Sequence, residues 1–132
     1  MFKNINKSNS ESIPNSLEKE VQKNFEQALS LHQKGQLDQA RNIYLKILED
    51  QPKHANSLHF LGVISHQTGD SELAVDLISK AIAINPNSAA FYSNLGVALM
   101  ELKHFEPALA SYDKAIALNS NNADFHIIVE IF

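Results

Sequence analysis

The side chains with the widest chemical range in this sequence are histidines, and two of them stand in a repeated His-Gln pair. The pair occurs at residues 32–33 and again at 66–67, each time followed, after one residue, by glycine. His59 lies seven residues before His66, which is two turns on one face of a helix. Since imidazole can ligate a metal, move a proton or hydrogen-bond to a ligand, the first candidate site consists of His32, His59 and His66.

A metal site built from these histidines would need three or four ligands converging at about 2 Å from the ion. Neighbouring helices lie roughly 10 Å apart, and the sequence places no carboxylate to complete the ligand set. We therefore expect no metal and no cofactor. We interpret the three imidazoles as a binding surface, whose affinity would depend on pH if they contact the ligand.

Serine occurs beside histidine and aspartate, which raises the question of catalysis. Ser65 precedes His66, and Ser111 lies two residues before Asp113, but positions this close on a helix point in different directions. The sequence has neither the strand–turn–helix elbow of a serine hydrolase nor a glycine-rich phosphate loop. No catalytic residue is predicted, and we do not expect an enzyme.

Charge and composition narrow the classes of partner. The 132 residues have a net charge of −4 and no cysteine, so there is no basic field for nucleic acid or anionic lipid and no disulfide. No segment reaches the roughly 18 apolar residues of a membrane span, and no apolar run typical of a signal peptide is present at the start. We expect a cytoplasmic protein that binds neither nucleic acid nor membrane.

The elements that carry the histidines belong to an internal repeat of 34 residues. Alanine recurs with that spacing at Ala40, Ala74 and Ala108, and the first two units end at Pro52 and Pro86. Within each unit the apolar residues follow a helical period rather than an alternating one. Each unit is therefore predicted to be a pair of helices.

Glycine marks two kinds of position in the repeat. Gly35 and Gly69 follow the first helix, where a left-handed residue can end it, and Asp70 is then the N-cap of the next helix. Gly62 and Gly96 lie within a first helix, where glycine costs roughly 1 kcal/mol relative to alanine. We expect a second helix to cross closely at these two glycines.

These residues resemble the tetratricopeptide repeat family from about residue 21 onward. The residues that carry the resemblance are Ala28, Leu31, Ala40, Tyr44 and Pro52 in the first unit, Leu58, Leu61, Gly62, Ala74, Ala81 and Pro86 in the second, and Tyr92, Leu95, Gly96, Leu99, Ala108, Tyr112 and Ala115 in the third. The sequence also resembles the N-terminal repeat arrays of bacterial O-linked N-acetylglucosamine transferase-like proteins. The resemblance implies an all-α fold, a right-handed α-solenoid of about three helix hairpins (about 21–54, 55–88 and 89–122) and a partial fourth helix (123–132).

The resemblance also implies that the first helix of each hairpin lines a concave groove for a peptide or protein partner. With helical geometry, it places these side chains in the groove: Phe25, Leu29, His32, Gln33, Asn56, His59, Val63, His66, Gln67, Ser93, Asn94, Val97, Met100 and Glu101. The set contains no lysine or arginine, so a clamp for an acidic peptide terminus is not expected. An apolar floor with amide and imidazole walls predicts a neutral or amphipathic peptide bound with micromolar affinity.

Two functions stay open at this point. The first is a non-catalytic protein–protein interaction module. The second is a truncated N-terminal segment that selects substrates for a larger glycosyltransferase-like or other transferase protein. The coding sequence after Phe132 would distinguish the two.

Both ends of the chain depart from the repeat. Residues 1–16 are rich in Asn, Ser and Lys and are predicted to be disordered, with Ser16 as a helix cap and the repeat domain over 17–132. The last residues, "ADFHIIVEIF", begin like a first helix with Phe125 and Val129 facing the third unit, and they are strongly apolar. A fragment of a longer protein, a homodimer joined through this helix and a tail folded back as a cap are three alternatives.

Overall fold

The computed structural model describes residues 2–120, with side chains from Asn15 onward. That part of the chain is all-α, without a strand, and contains α1 (Phe2–Gln33), α2 (Leu37–Asp50), α3 (Ala55–Gln67), α4 (Ser71–Ile84), α5 (Ala89–Glu101) and α6 (Phe105–Leu118). Consecutive helices pack in pairs, α1 with α2, α3 with α4 and α5 with α6. The predicted all-α fold of three helix hairpins is confirmed.

The chain divides into two compact units, Met1–Asp50 and Gln51–Phe132. The first unit holds the α1–α2 hairpin, whose core includes Phe25 from α1 and Tyr44 from α2, with ring centroids 6.0 Å apart. Burial raises the pKa of the Tyr44 phenol to about 12, which agrees with its place in this core. The second unit holds the other two hairpins, and in it α5 packs against α4 as well as against α6.

The structure describes the start of helix α1 but not the last residues of the chain. Helix α1 starts at Phe2 and includes Ser16, so the prediction that Ser16 is its N-cap is wrong. A serine inside a helix costs less than about 0.7 kcal/mol relative to alanine, which a long helix tolerates. The expected disorder of residues 1–16 and the domain boundary at residue 17 stay predictions, and the partial fourth helix at 123–132, with its proposed homodimer contact, lies outside the described residues.

The mid-helix glycines mark close helix crossings in the second unit. A Cβ atom on Gly62 would lie 2.7 Å from Ile78 Cγ1 and 3.2 Å from the carbonyl oxygen of Ala74. A Cβ atom on Gly96 would lie 2.7 Å from Cε1 of the Tyr112 ring. No larger side chain fits at either position without movement of its neighbours. The predicted close crossing is confirmed at Gly62, where backbone of α4 is a neighbour, and at Gly96 the Tyr112 ring of α6 occupies the space.

The turns inside the hairpins use left-handed residues. Gly35 has φ 79° and Gly69 has φ 95°, as predicted for residues that end a first helix. In the third hairpin Lys103 takes this place with φ 63°, although a residue with a Cβ atom pays about 1–2 kcal/mol there. The predicted cap is also present, since Oδ1 of Asp70 accepts a hydrogen bond from the Leu73 N–H at 3.1 Å.

Candidate functional site

Helices α3 and α5 of the second unit lie against each other and provide the candidate surface. Along their whole length they contain no lysine, arginine or aspartate, and the only carboxylate of the two is Glu101 at the end of α5. Their polar groups are amides, hydroxyls and imidazoles. A ligand on this surface therefore meets hydrogen-bonding groups and apolar side chains rather than charges.

Most of the predicted groove residues on these two helices are accessible to a partner. Val97 and Met100, one turn apart on α5, are exposed apolar side chains. The accessible set consists of Asn56, Gln67, Val97, Met100 and Glu101, which are exposed, and Val63, His66, Ser93 and Asn94, which are half-buried. The accessible side chains of the second unit thus include both apolar groups and amides.

His59 lies beneath this surface. Its side chain is only 2% exposed, and its ring contacts those of Phe60 and Phe91, with centroid distances of 4.7 and 4.6 Å. Its Nε2 atom is 2.8 Å from Nδ2 of Asn94, so the imidazole connects α3 to α5. The structure corrects the prediction for His59, which is a core residue and not a wall of an open groove.

His66 joins the two helices of its own hairpin. Its Nδ1 atom lies 3.1 Å from Oγ of Ser71, the first residue of α4, and the imidazole is half-buried. Gln67, the second member of the pair, is exposed. The His-Gln pair thus consists of a half-buried residue that bonds to the next helix and an exposed residue.

The predicted residues of the first unit divide in the same way. Phe25 is buried against Tyr44, so the structure corrects its prediction as a groove residue. His32 is half-buried, and its ring meets Tyr44 edge-on with centroids 6.3 Å apart. Leu29 is half-buried and Gln33 is exposed, so these two and His32 are the accessible members of the predicted set on α1.

One residue with a defined role was missed from the sequence. His54 is the N-cap of α3, because its Nδ1 atom accepts a hydrogen bond from the Ser57 N–H at 3.2 Å. Burial lowers the pKa of His54, which favours the neutral form that this bond requires. Aligning the repeats would have found it, since Ser88 stands 34 residues later and caps α5 through Oγ and the Phe91 N–H at 3.3 Å.

The three histidines of the α3 region all bond within the protein, His54 to Ser57, His59 to Asn94 and His66 to Ser71. Among the described residues, no three side chains of the His, Cys, Asp and Glu types come together as a metal-binding group. In the same part of the chain, no helix has the length and apolar character needed to cross a membrane. 

The repeated helix hairpins and their constant spacing of 34 residues can be compared with known sequence families. Tetratricopeptide repeats match residues 25–89 and residues 89–122. The chain belongs to the tetratricopeptide repeat family. The predicted family and the all-α tetratricopeptide fold class are thereby confirmed. Tetratricopeptide repeats are protein–protein interaction modules, and the fold is generally non-catalytic.

Solved structures share this tetratricopeptide fold. The chain is similar to a mutant of the O-GlcNAc transferase of Thermobaculum terrenum (TM-score 0.75, 24% identity), covering 77% of this chain and 20% of that one. It is also similar to the first TPR of Spaghetti (RPAP3) bound to the HSP90 peptide SRMEEVD (TM-score 0.73, 21% identity, 78% and 82% covered). A third likeness is to the Yersinia enterocolitica type III secretion translocator chaperone SycD (TM-score 0.75, 14% identity, 83% of each chain covered).

These three likenesses show the fold, and the chain spans only 20% of the transferase's length. No curated protein matches the sequence.

Proposed function

We propose that this tetratricopeptide protein binds an extended, neutral or amphipathic peptide segment of a partner protein on the first helices of its hairpins. The observation that carries the proposal is the charge pattern of α3 and α5, which contain no basic residue and a single carboxylate, Glu101. An acidic ligand would lose water there without gaining an opposite charge, and a basic ligand would meet only Glu101. A neutral peptide loses less hydration free energy on this surface.

The accessible side chains support this chemistry. Val63, Val97 and Met100 supply apolar contact, and Asn56 and Gln67 supply amides that can donate and accept hydrogen bonds. Ser93 and Asn94 on α5, with Glu101 at its end, complete the proposed surface of the second unit, and His66 borders it at the end of α3. In the first unit, taken by itself, Leu29, His32 and Gln33 on α1 are the proposed ligand contacts. The side-chain amides can bond to the main chain of an extended peptide while the apolar side chains contact its side chains.

The peptide class differs from the one bound by a structural neighbour. The first TPR of Spaghetti is bound to SRMEEVD, which is an acidic peptide. Helices α3 and α5 of this chain offer it no lysine or arginine, and Glu101 would repel it. We therefore expect this chain to reject acidic peptides that the neighbour accepts.

A peptide panel tests the proposal. The panel contains acetylated and amidated peptides of about seven residues that alternate Val, Leu or Met with Ser, Asn or Gln, and SRMEEVD is the comparison peptide. Fluorescence anisotropy should find at least one neutral peptide with a Kd in the range of tens of micromolar, roughly −6 kcal/mol, and no binding of SRMEEVD. Tighter binding of SRMEEVD than of every neutral peptide, or binding of none, would contradict the proposal.

Matched variants locate the binding on the proposed surface. Met100→Glu places a charge in the apolar area of α5 and should weaken the neutral peptide about ten-fold or more. Leu109→Glu places the same charge on α6, where Leu109 is 63% exposed, and should leave the affinity unchanged. Equal losses in both variants would place the ligand elsewhere.

A second candidate function rests on the likeness to the Thermobaculum terrenum transferase, of which the chain covers 20%. In that case the chain is the N-terminal segment that selects protein substrates for a larger transferase. Reading the genomic sequence after the codon for Phe132 tests it. Continuation into further repeats and a glycosyltransferase-like domain supports this candidate, and intergenic sequence contradicts it. A cytoplasmic location stays a prediction under both functions.

A further inference from the structure

A buried histidine contacts one amide of the proposed peptide surface. His59 and Asn94 are 35 positions apart in the sequence, and their side chains meet between α3 and α5 with a distance of 2.8 Å between Nε2 and Nδ2. Asn94 is half-buried, and among the described residues its side chain has no other hydrogen bond. The amide nitrogen therefore contacts a core residue, and Oδ1 has no hydrogen-bond partner in the described part of the chain.

The atoms in contact define the protonation state of the pair. An amide nitrogen carries two hydrogens and cannot accept, so Nδ2 of Asn94 donates and Nε2 of His59 accepts. This hydrogen bond requires a His59 imidazole that is neutral and has no proton on Nε2. In this state the available atom of the Asn94 amide is Oδ1, which is a hydrogen-bond acceptor.

Protonation of His59 would favour the opposite orientation of the Asn94 side-chain amide. An imidazolium ring carries an N–H at both nitrogens, so Nε2–H would face the donor Nδ2. The pair regains its hydrogen bond only if the amide rotates and Oδ1 accepts from Nε2. The amide NH₂ group of Asn94 would then take the place that Oδ1 had beside the ligand.

We propose that His59 is a positioning residue for peptide recognition. When neutral, it holds Oδ1 of Asn94 as an acceptor for a main-chain N–H of the bound peptide, and its protonation exchanges that acceptor for a donor. The ligand half of this inference rests on the function proposed above. The coupling between His59 and Asn94 belongs to the free protein and can be measured without a ligand.

The neighbouring ionisable groups determine which controls are needed. Those on the helices that pack around His59 are His54 and His66 at the two ends of α3, Glu72, Asp76 and Lys80 on α4, and Tyr92 and Glu101 on α5. Asp76 and Lys80 pair with each other at 3.2 Å. His54 and His66 are the other two imidazoles among these groups. His66→Gln is therefore the matched control, since it removes a second imidazole of α3 that bonds to Ser71 and not to Asn94.

Nuclear magnetic resonance of the free, full chain tests the coupling. Nitrogen shifts of the His59 ring should show the Nδ1–H tautomer near pH 7.5, and the side-chain amide of Asn94 should shift with the same midpoint as His59 as the pH falls. The exposed amide of Asn56 should not follow, and His66→Gln should leave the Asn94 shift intact. The Nε2–H tautomer, a His59 ring that does not titrate above about pH 5, or an Asn94 amide that ignores it would overturn the inference.

Peptide binding tests the consequence for recognition. The neutral panel peptide that binds most tightly to the wild type should lose affinity about five-fold or more between pH 7.5 and 5.5. Asn94→Ala, a change at a half-buried position that the fold should tolerate, should bind more weakly and with little pH dependence. An unchanged pH dependence of peptide binding in Asn94→Ala would overturn the proposed role of His59 in peptide recognition. If no panel peptide binds at any pH, the proposed function fails while the resonance result still decides the coupling.

Discussion

The two hairpins of the second unit match position by position, yet they differ at the turn between their helices. In the α3–α4 hairpin the turn has Gly69 in the left-handed conformation and Asp70 as a hydrogen-bonded cap. Thirty-four residues later, Lys103 adopts the left-handed conformation and His104 makes no side-chain cap bond. Both hairpins fold the same way, so the glycine and the cap contribute stability but do not specify the fold.

The two hairpins also differ in what covers their second helix. Ser71 at the start of α4 is 6% exposed, whereas Phe105 at the equivalent place on α6 is 58% exposed. Val75 is half-buried, and its counterpart Leu109 is exposed. The cause is that α5 packs on α4, while the corresponding face of α6 is open in the described part of the chain. What both hairpins share is the close crossing at Gly62 and Gly96.

The largest expected difference concerns the side chains that fill the crossings. Ile78 is fully buried opposite Gly62, and its counterpart Tyr112 is half-buried opposite Gly96. We expect Ile78→Ala to lower the free energy of unfolding by about 3 kcal/mol and Tyr112→Ala by about 2 kcal/mol, because a partly exposed ring buries less surface. Urea unfolding followed by circular dichroism measures both. A larger loss in Tyr112→Ala would show that the third hairpin depends more on its crossing than the second.

The next largest effect comes from exchanging the turn residues. Lys103→Gly should raise the free energy of unfolding by about 1 kcal/mol, because glycine adopts a positive φ without the cost that a Cβ atom adds. Gly69→Lys should lower it by about 1–2 kcal/mol for the same reason. A Cβ atom at Gly69 has no neighbour within 4 Å, so the loss would report backbone conformation and not a clash. Equal midpoints for the wild type and Lys103→Gly would contradict this account.

Local signals in the sequence were sufficient for the hairpins, but not for the surface. Gly62, Gly69 and Asp70 each act through nearby backbone or a partner at a fixed offset, which a repeat makes visible. Phe25 was misplaced because it packs against Tyr44 of its own hairpin, and His59 because α3 packs on both α4 and α5. The bond of His59 to Asn94 joins residues 35 apart, and no local pattern predicts which imidazole meets which amide.

The caps of the second helices differ for a reason that the sequence contains. Asp70 accepts from the N–H of Leu73, whereas the residue at the same offset from His104 is Pro107, which has no N–H to donate. We expect Asp70→Ala to cost about 1 kcal/mol, and His104→Asp to gain less than half of that while Pro107 is present. The double variant with His104→Asp and Pro107→Leu should gain about 1 kcal/mol. Thermal and urea unfolding of the four proteins check this, and a full gain from His104→Asp alone would show that proline is not the obstacle.

The smallest effect distinguishes the caps of the first helices, where His54 and Ser88 occupy equivalent positions. Both accept a backbone N–H, at 3.2 and 3.3 Å, but only the imidazole loses its acceptor when it binds a proton. Burial lowers the pKa of His54 from its ordinary 6.5, so the unfolded chain binds more protons than the folded one as the pH falls through that range. The stability from this cap is complete above pH 6.5 and is lost as the pH falls towards the lowered pKa.

Urea unfolding of the wild type and of His54→Ser, near pH 7.5 and near pH 5.5, isolates this contribution. His54→Ser gives α3 the cap that α5 already has, so the variant should lose less stability on acidification than the wild type. This difference in unfolding free energy should be smaller than those expected for the crossings, the turns and the caps of the second helices, since the imidazole is only partly buried and water screens it. Ser88→Ala is the control, because it should cost about 1 kcal/mol at both pH values alike. If His54→Ser and the wild type lose equal stability, the acid sensitivity belongs to another imidazole, and His59, which must also be neutral to accept from Asn94, is the first to examine.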